Sequence, residues 1–544
     1  MSLRILAVTS EAFPLAKSGG LGDAVSGMAR TLQMAAGHQV SILLPAYPGT
    51  REQLSGVREV ARLHGLPGGD ARLLSGRCAA LGDVTVLLLE NDALYDRTGL
   101  YVDADGREYG DNAIRFGALA HAAVRIASGL PGTEGSGAAA PDIIHAHDWH
   151  AGLVPLLLRI AGVQHVRSVI TIHNMAFQGV YPMHLSGELG IPAAYLGVEG
   201  IEYWGQISFL KAGIRYADRI TTVSHTYARE ILTPLFGCGL QGLLQTRVGD
   251  LVAVPNGIDA AEWDPATDPH LGRNRYNASR LENKARCKRA LQRHFGLLER
   301  AAAPLMVMGS RLTAQKMADV ALQALPQALD DHPDLQVAVL GQGDKAIETG
   351  IAQLQRRYPG RCGVRIGFDE ATAHRLHAGA DILLHGSRFE PFGLTPLYAM
   401  RYGAIPIGSK VGGMADTIID PGRGAGRDAM RTATGVLFEG DSVDAMASAI
   451  TRTLGLYRCP DIWRAMQHRA MTTDHSWERA VPLYSNLFRG LAPAAFGDAM
   501  MPTSAPRRSR AGAAAVRALP GGAACLGAVL AAPMAGHSGH GASF

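Results

Sequence analysis

Cysteine is scarce. The 544 residues hold six, at Cys78, Cys238, Cys287, Cys362, Cys459 and Cys525, far apart and without a C-x-x-C pair. That spacing excludes a disulfide framework and gives no zinc signature. Scattered thiols fit a reducing compartment. An excess of one charge is also lacking: 52 Lys and Arg stand against 48 Asp and Glu, a net +4. This argues against a dedicated nucleic-acid binder, whose affinity needs a basic face. No run of about 18 apolar residues occurs, so no membrane span is expected. The apolar run at residues 3–9 meets Glu11 too soon for a secretory signal. The expectation is a cytoplasmic protein.

Glycine and apolar residues are plentiful. Apolar types make up 47% of the chain and Gly contributes 65 residues, enough for large cores with many tight turns. Short β-branched runs at 3–9, 40–44, 142–145, 169–172 and 219–223 alternate with longer amphipathic stretches, the first helix expected over 23–36. The alternation restarts at 305–308, 335–340, 363–366, 381–384 and 405–407. Strands alternating with helices imply parallel sheets with right-handed crossovers, and two series imply two α/β domains. The turn chemistry of V-P-N-G-I-D (254–259) marks the junction. Residues 264–283 read as an irregular connection and 129–140 as a surface loop. The stretch 490–544, rich in Ala, Gly, Pro and Ser, reads as a disordered tail.

The candidate chemistry sits where strands end. Lys17-Ser-Gly19-Gly20-Leu-Gly22-Asp23 lies between the first strand and a helix. Read alone, it is equally a flexible surface turn and a place where backbone amides meet an anion. Gly341-Gln-Gly343-Asp-Lys-Ala346 matches G-x-G-x-x-A, but no acidic residue follows at ribose-binding distance between 360 and 368. In His145-Ala-His147-Asp148-Trp149-His150, alternate spacing keeps the imidazoles on one face only while the strand lasts, and His150 lies beyond it. A polar site at the carboxyl end of a parallel strand suits these residues and Ile172-His173-Asn174 better than a metal does. Arg311 and Lys316 follow a strand and can clamp a diphosphate. Glu390 lies in Ser387-Arg388-Phe389-Glu390-Pro391-Phe392-Gly393-Leu394-Thr395, ahead of a helix expected near Thr395. There a carboxylate holds hydroxyls while free amides face phosphate.

These segments together resemble the bacterial glycogen synthase and starch synthase family. K-S-G-G-L-G-D at 17–23, H-A-H-D-W-H-A-G-L at 145–153, H-N-M-A-F-Q-G at 173–179 and G-Q-I-S-F-L-K-A-G at 205–213 occur in family order. P-N-G-I-D at 255–259, S-R-L-T-A-Q-K at 310–316, S-R-F-E-P-F-G-L-T-P-L-Y-A-M-R-Y-G at 387–403 and G-G-M-A-D-T at 412–417 follow. The resemblance implies the α/β GT-B glycosyltransferase fold, two Rossmann-like domains facing across a deep cleft. An acceptor-side catalytic domain would span 1–254 and a nucleotide-sugar donor domain 255–475. A helix over 476–489 would cross back to the first domain.

The implied reaction moves glucose from ADP-glucose to the non-reducing end of an α-1,4-glucan, glycogen or a maltooligosaccharide, with retention. ADP-glucose is then a substrate, and neither cofactor nor metal is implied. Lys17, Gly19 and Gly20 would contact the donor, with Asp23 and Asn256 in the binding set. Arg311 and Lys316 would neutralise the leaving ADP. Glu390 would hold the donor glucose, with Phe392 and Gly393 beside it, and the amides of Leu394 and Thr395 would meet the distal phosphate. The His173 carbonyl would face the anomeric carbon, Asp148 and Asn174 would position sugar hydroxyls, and Tyr109 would line the nucleotide or acceptor side. Glu390 and Asp148 lie on different domains, which disfavours a covalent carboxylate pair and suits a front-face step.

Some positions depart from the family pattern. Gly386 stands for Pro, Phe392 for Cys, Pro396 for Gln, Met317 for Gly and His225 for Pro. Phe392 is expected to crowd or reshape the sugar pocket. Two alternatives remain open at this level: a sister transferase using UDP-glucose or another acceptor, and a non-catalytic sugar-nucleotide or glycan-binding regulator. Oligomeric state is not legible.

Overall fold

A computed structural model describes residues 2–492, apart from 134 and 425. The strands are β1 (Arg4–Val8), β2 (Gln39–Pro45), β3 (Ser55–Leu66), β4 (Gly69–Arg77), β5 (Thr85–Glu90), β6 (Ile143–His147), β7 (Arg167–Ile172), β8 (Val180–Pro182), β9 (Glu202–Tyr203), β10 (Gln206–Ser208), β11 (Arg219–Thr222) and β12 (Leu251–Ala253) in the first half. In the second half they are β13 (Leu305–Gly309), β14 (Gln336–Gly341), β15 (Cys362–Ile366), β16 (Ile382–His385), β17 (Ile405–Ser409) and β18 (Val436–Phe438).

The first sheet has the order β12-β11-β7-β6-β1-β2-β5-β4-β3, and the second β15-β14-β13-β16-β17-β18. The second is wholly parallel. Its central strands are buried along their length, as expected of strands covered by helices on both faces. The first sheet departs from the all-parallel expectation. β3 pairs antiparallel with β4, and β4 with β5. Ser55–Leu66 is largely exposed and its pairing carries three register shifts, so its sequence shows no apolar alternation. β8, β10 and β9 form a separate small antiparallel sheet.

The irregular stretch expected at 264–283 is a 3₁₀ turn, Pro269–Asn274, that gives way to the helix Glu282–His294. The last helix, Val481–Leu491, packs on the first half. Tyr484 and Phe488 are buried there, and both rings lie against His145, with centroids 5.4 and 5.5 Å apart. Trp477, just before it, fills the space beside Gly27, where a Cβ would lie 2.0 Å from the indole nitrogen. That helix includes Gly490 and Leu491, so the expected disordered tail does not begin at 490. The rest of that expectation, and Cys525, lie outside the described residues.

Candidate active site

The glycine loop of the first half is held from below by Glu11. Its carboxylate accepts from the Ser18 amide at 2.7 Å, the Ser18 hydroxyl at 2.8 Å, the Gly19 amide at 3.1 Å and the Tyr101 hydroxyl at 2.6 Å. The helix that follows, Gly20–Ala36, begins three residues before the expected Asp23. Gly19 is its N-cap and brings no side-chain cap, so first-turn amides stay available to a ligand. Lys17 pairs with Asp23 at 2.9 Å. Burial lowers the Lys17 pKa, yet the Asp23 carboxylate overrides it and leaves it raised. Burial raises Asp23 to about 6 against the pull of Lys17. A Cβ on Gly20 would lie 3.3 Å from Leu394 Cδ1. The two predicted donor loops, one from each half, therefore meet.

At the ends of β6 and β7 the carboxylate of Asp148 accepts from the amides of His173 at 2.7 Å and Asn174 at 3.3 Å. Asp148 has φ 55° and ψ −170°, a region that L-residues rarely enter and that concentrates at functional sites. His147 Nδ1 lies 3.0 Å from His173 Nε2, and His145 Nε2 lies 2.6 Å from the Thr171 hydroxyl. Burial pulls His145 and His173 down to about 3 and His147 and His150 well below their ordinary value. These imidazoles are neutral at physiological pH. Burial pushes Asp148 up to about 7, opposed by the two amides. Among the described residues, groupings that could hold a metal are Asp268, His270, His374 and Glu262, Glu370, His374, not the histidine run. Asp268 and His374 are already hydrogen-bonded at 2.9 Å.

The Asp148 geometry makes a testable statement about pH. In the unfolded chain this carboxyl ionises near 3.9; in the fold it holds its proton to about 7. Across that window the folded state binds more protons, so this group's contribution to stability falls as pH rises. Asp148→Asn keeps an oxygen for the two amides and removes the titration. Melting curves from pH 4 to 8 should show wild type losing stability relative to the variant as pH increases. An unchanged difference across the window contradicts the assignment.

In the second half, Lys316 pairs directly with Glu390, and His385 Nε2 lies 3.4 Å from the same Oε2. The Lys316 and Glu390 side chains are only 13% and 11% exposed. Burial raises the Glu390 pKa, but Lys316 and His385 outweigh it and hold the carboxyl well below its ordinary range. Glu390 is thus an acceptor of hydrogen bonds and not a proton donor. Arg311 is exposed and donates to Gln315 Oε1 at 3.1 Å. The two cations expected to act as one clamp are therefore unlike: Arg311 is open to solvent and Lys316 is engaged by Glu390.

The loop carrying Glu390 rests on glycines. A Cβ at Gly412, where φ is +44°, would lie 1.7 Å from the Glu390 carbonyl oxygen, and one at Gly413 would lie 2.6 Å from Phe392 Cδ2. Phe392 is buried with its backbone and ring edge on Gly413. Gly393, at φ +89°, turns the chain into the helix Leu394–Arg401. Pro396 sits in the first turn, where a missing N–H breaks no intrahelical bond. Met317 is buried at φ +51°, and a Cβ on Gly386 would come 3.2 Å from its Cβ. Two of the departures from the family pattern thus form one packing unit, a large side chain at 317 against a glycine at 386.

Tyr109 lies between the guanidinium groups of Arg97 and Arg115, 4.9 and 5.0 Å from its ring centre. The amide of Asn256 donates to the Val223 carbonyl at 3.3 Å, while its side-chain Oδ1 is buried without a partner. In the G-x-G-x-x-A segment, Asp344 caps the helix Lys345–Arg357 and Glu348 accepts from the Gly343 amide at 2.8 Å. Protein carboxylates occupy the positions a dinucleotide phosphate would need. The halves also join away from the glycine loop. Ser224 donates to the Pro391 carbonyl at 2.9 Å, and the Thr226 hydroxyl meets Asp416 at 2.6 Å. The roles of Glu11 and His385 escape sequence reading because each depends on how a loop folds back on itself, bringing Ser18 and Gly19 onto Glu11 and Glu390 onto His385. A carboxylate shortly after the first apolar strand was the available signal for Glu11.

Comparison with known proteins agrees with this arrangement. Residues 4–246 match the starch synthase catalytic domain, and residues 292–463 match glycosyl transferases group 1. A glycogen synthase of Bordetella petrii is 56% identical over 95% of this chain and 95% of its own. One from Ralstonia nicotianae is 52% identical over 91% and 89%. Among solved structures, the catalytic domain of starch synthase IV from Arabidopsis thaliana, bound to ADP and acarbose, superposes with a TM-score of 0.81. It is 27% identical over 91% of this chain and 100% of that one. The fold is the GT-B arrangement, and the chain belongs to the family of glycogen and starch synthases.

Proposed function

We propose that the chain lengthens α-1,4-glucans, transferring glucose from ADP-glucose to a non-reducing end with retention of configuration. The observation that carries the site assignment is the meeting of the Gly20 loop with Leu394, beside the Lys316–Glu390–His385 group. Residues 1–254 serve the acceptor side and 255–475 the donor, with 476–489 crossing back. The first-turn amides after Gly19, the amides of Leu394 and Thr395, and Arg311 receive the diphosphate. Positive and partly positive groups placed where negative charge builds on the leaving ADP lower the barrier. Lys316, Lys17 and Asp23 stand within this set, and Gly393 lets the chain turn there.

Glu390, ionised, accepts hydrogen bonds from donor glucose hydroxyls. The C1–O bond to the β-phosphate breaks as the acceptor 4-hydroxyl oxygen bonds to C1 on the same face. The acceptor proton passes to the departing phosphate oxygen. The His173 carbonyl faces the anomeric carbon, and Asp148, fixed to the His173 and Asn174 amides, holds that carbonyl's loop in place. Neutral imidazoles around it bring no positive charge against an oxocarbenium-like centre. Asn256 belongs to the donor-binding set, its buried Oδ1 an acceptor without a partner among the described residues, and Tyr109 lines the nucleotide or acceptor side. A cytoplasmic setting belongs to the proposal; Cys78, Cys238, Cys287, Cys362 and Cys459 are unpaired thiols, and no described helix is long and apolar enough to cross a membrane.

The test is the linkage made. NMR of maltotetraose extended by the enzyme should show new α-1,4 linkages from an α-configured donor. A β-linked product, or bonds to another hydroxyl, contradicts the reading.

A further inference from the structure

The hairpin joining β9 to β10 turns through two residues, Trp204 and Gly205, at φ +51° and +80°. A two-residue hairpin turn with both central residues in this region favours Asn-Gly. A bulky residue there is a true outlier. Trp204 is also 81% exposed, so the position combines backbone strain with an uncovered indole. Strain of this kind concentrates at ligand-holding sites.

The indole is braced rather than loose. Tyr203 meets it edge-on at 6.4 Å, and its Nε1 sits 3.5 Å from where a Cβ on Gly239 would be. The Cys238 carbonyl accepts from both the Tyr203 hydroxyl and the Gln178 amide, each at 2.7 Å. Gln178 adjoins Phe177, itself 49% exposed, in the loop that leaves His173 and Asn174 for β8. The exposed aromatics therefore flank one anchor on the loop that leads from the acceptor side.

We propose that Trp204 is a stacking platform for a stretch of α-glucan remote from the end being extended. The apolar C–H face of a glucose ring buries against the indole face, while hydroxyls stay in water. This rests on the glucan-lengthening reading above, since the occupant is the acceptor polymer itself. The platform would add affinity for long branched chains and none for short ones.

The experiment compares wild type, Trp204→Asn and Trp204→Phe. Asn suits the left-handed turn, so folding is spared; Phe keeps a stacking face. Binding is read without donor, by retardation in gels containing glycogen, and kinetics with glycogen and with maltotetraose. Trp204→Asn should lose most of the retardation and raise KM for glycogen roughly three- to tenfold. Its kcat, and KM for maltotetraose and ADP-glucose, should not change, and Trp204→Phe should restore most of the loss. Wild-type retardation in Trp204→Asn, or an equal loss on both acceptors, overturns the proposal. So does altered self-association with unaltered glycogen binding. If wild type extends neither acceptor, the glucan-lengthening reading fails, while the gel still judges Trp204.

Discussion

Glu390→Gln lowers kcat by about 10²–10³-fold, with the fold intact, in a steady-state assay of ADP release. The variant keeps the shape and one oxygen but loses the charge that Lys316 and His385 enforce. Gln is more informative than Ala. Both variants remove the counter-charge of the Lys316 ammonium, 13% exposed, but Gln keeps an oxygen that accepts from it and Ala leaves it with neither. Removing one partner of a buried pair costs roughly 3–5 kcal/mol, so an inactive Ala variant could simply be an unstable one. Because Glu390 is held as the anion, activity carried by wild type should show no acid limb from this group at neutral pH. Near-normal turnover in Glu390→Gln contradicts its placement on the donor sugar.

Gly412→Ala produces the largest structural effect. The new methyl would begin 1.7 Å from the Glu390 carbonyl oxygen, at a backbone φ of +44°. Neither neighbour is a flexible side-chain end, so the Glu390–Phe392 segment must move. The expected cost is roughly 3 kcal/mol of stability, with loss of transfer beyond what the stability change explains. The Gly412 amide also donates to Glu230 of the first half at 3.0 Å, so the shift would loosen the contact between halves. A variant with wild-type melting temperature and kcat contradicts the packing described for this loop.

The parallel strands were legible because their apolar runs are nearly unbroken, as at Leu305–Gly309 and Gln336–Gly341. The loops after them were legible because glycine, lysine and carboxylate types recur at strand ends, where such sheets bind ligands. The hairpin β3–β4 was not legible, since an exposed edge with register shifts has no alternation to read. The role of Glu11 was not legible either, because it needs the loop to curl Ser18 and Gly19 back onto the carboxylate and Tyr101 to reach it from 90 positions away. The helices begin one to three residues before the expected starts at Asp23 and Thr395, because glycines at 19 and 393 serve as their N-caps. The likeness of Arg311 and Lys316 in sequence hid a difference that only burial and the Glu390 carboxylate create. The seat of Phe392 on Gly413 was not legible, because it depends on a close approach between two separate loops.

The central claim is that this cleft moves glucose from ADP-glucose onto a glucan. Nucleotide release should be measured with ADP-glucose and with UDP-glucose, each with and without glycogen. The account predicts fast ADP release that depends on glycogen and is matched by polymer growth. Release from UDP-glucose alone, or from neither donor, would contradict it.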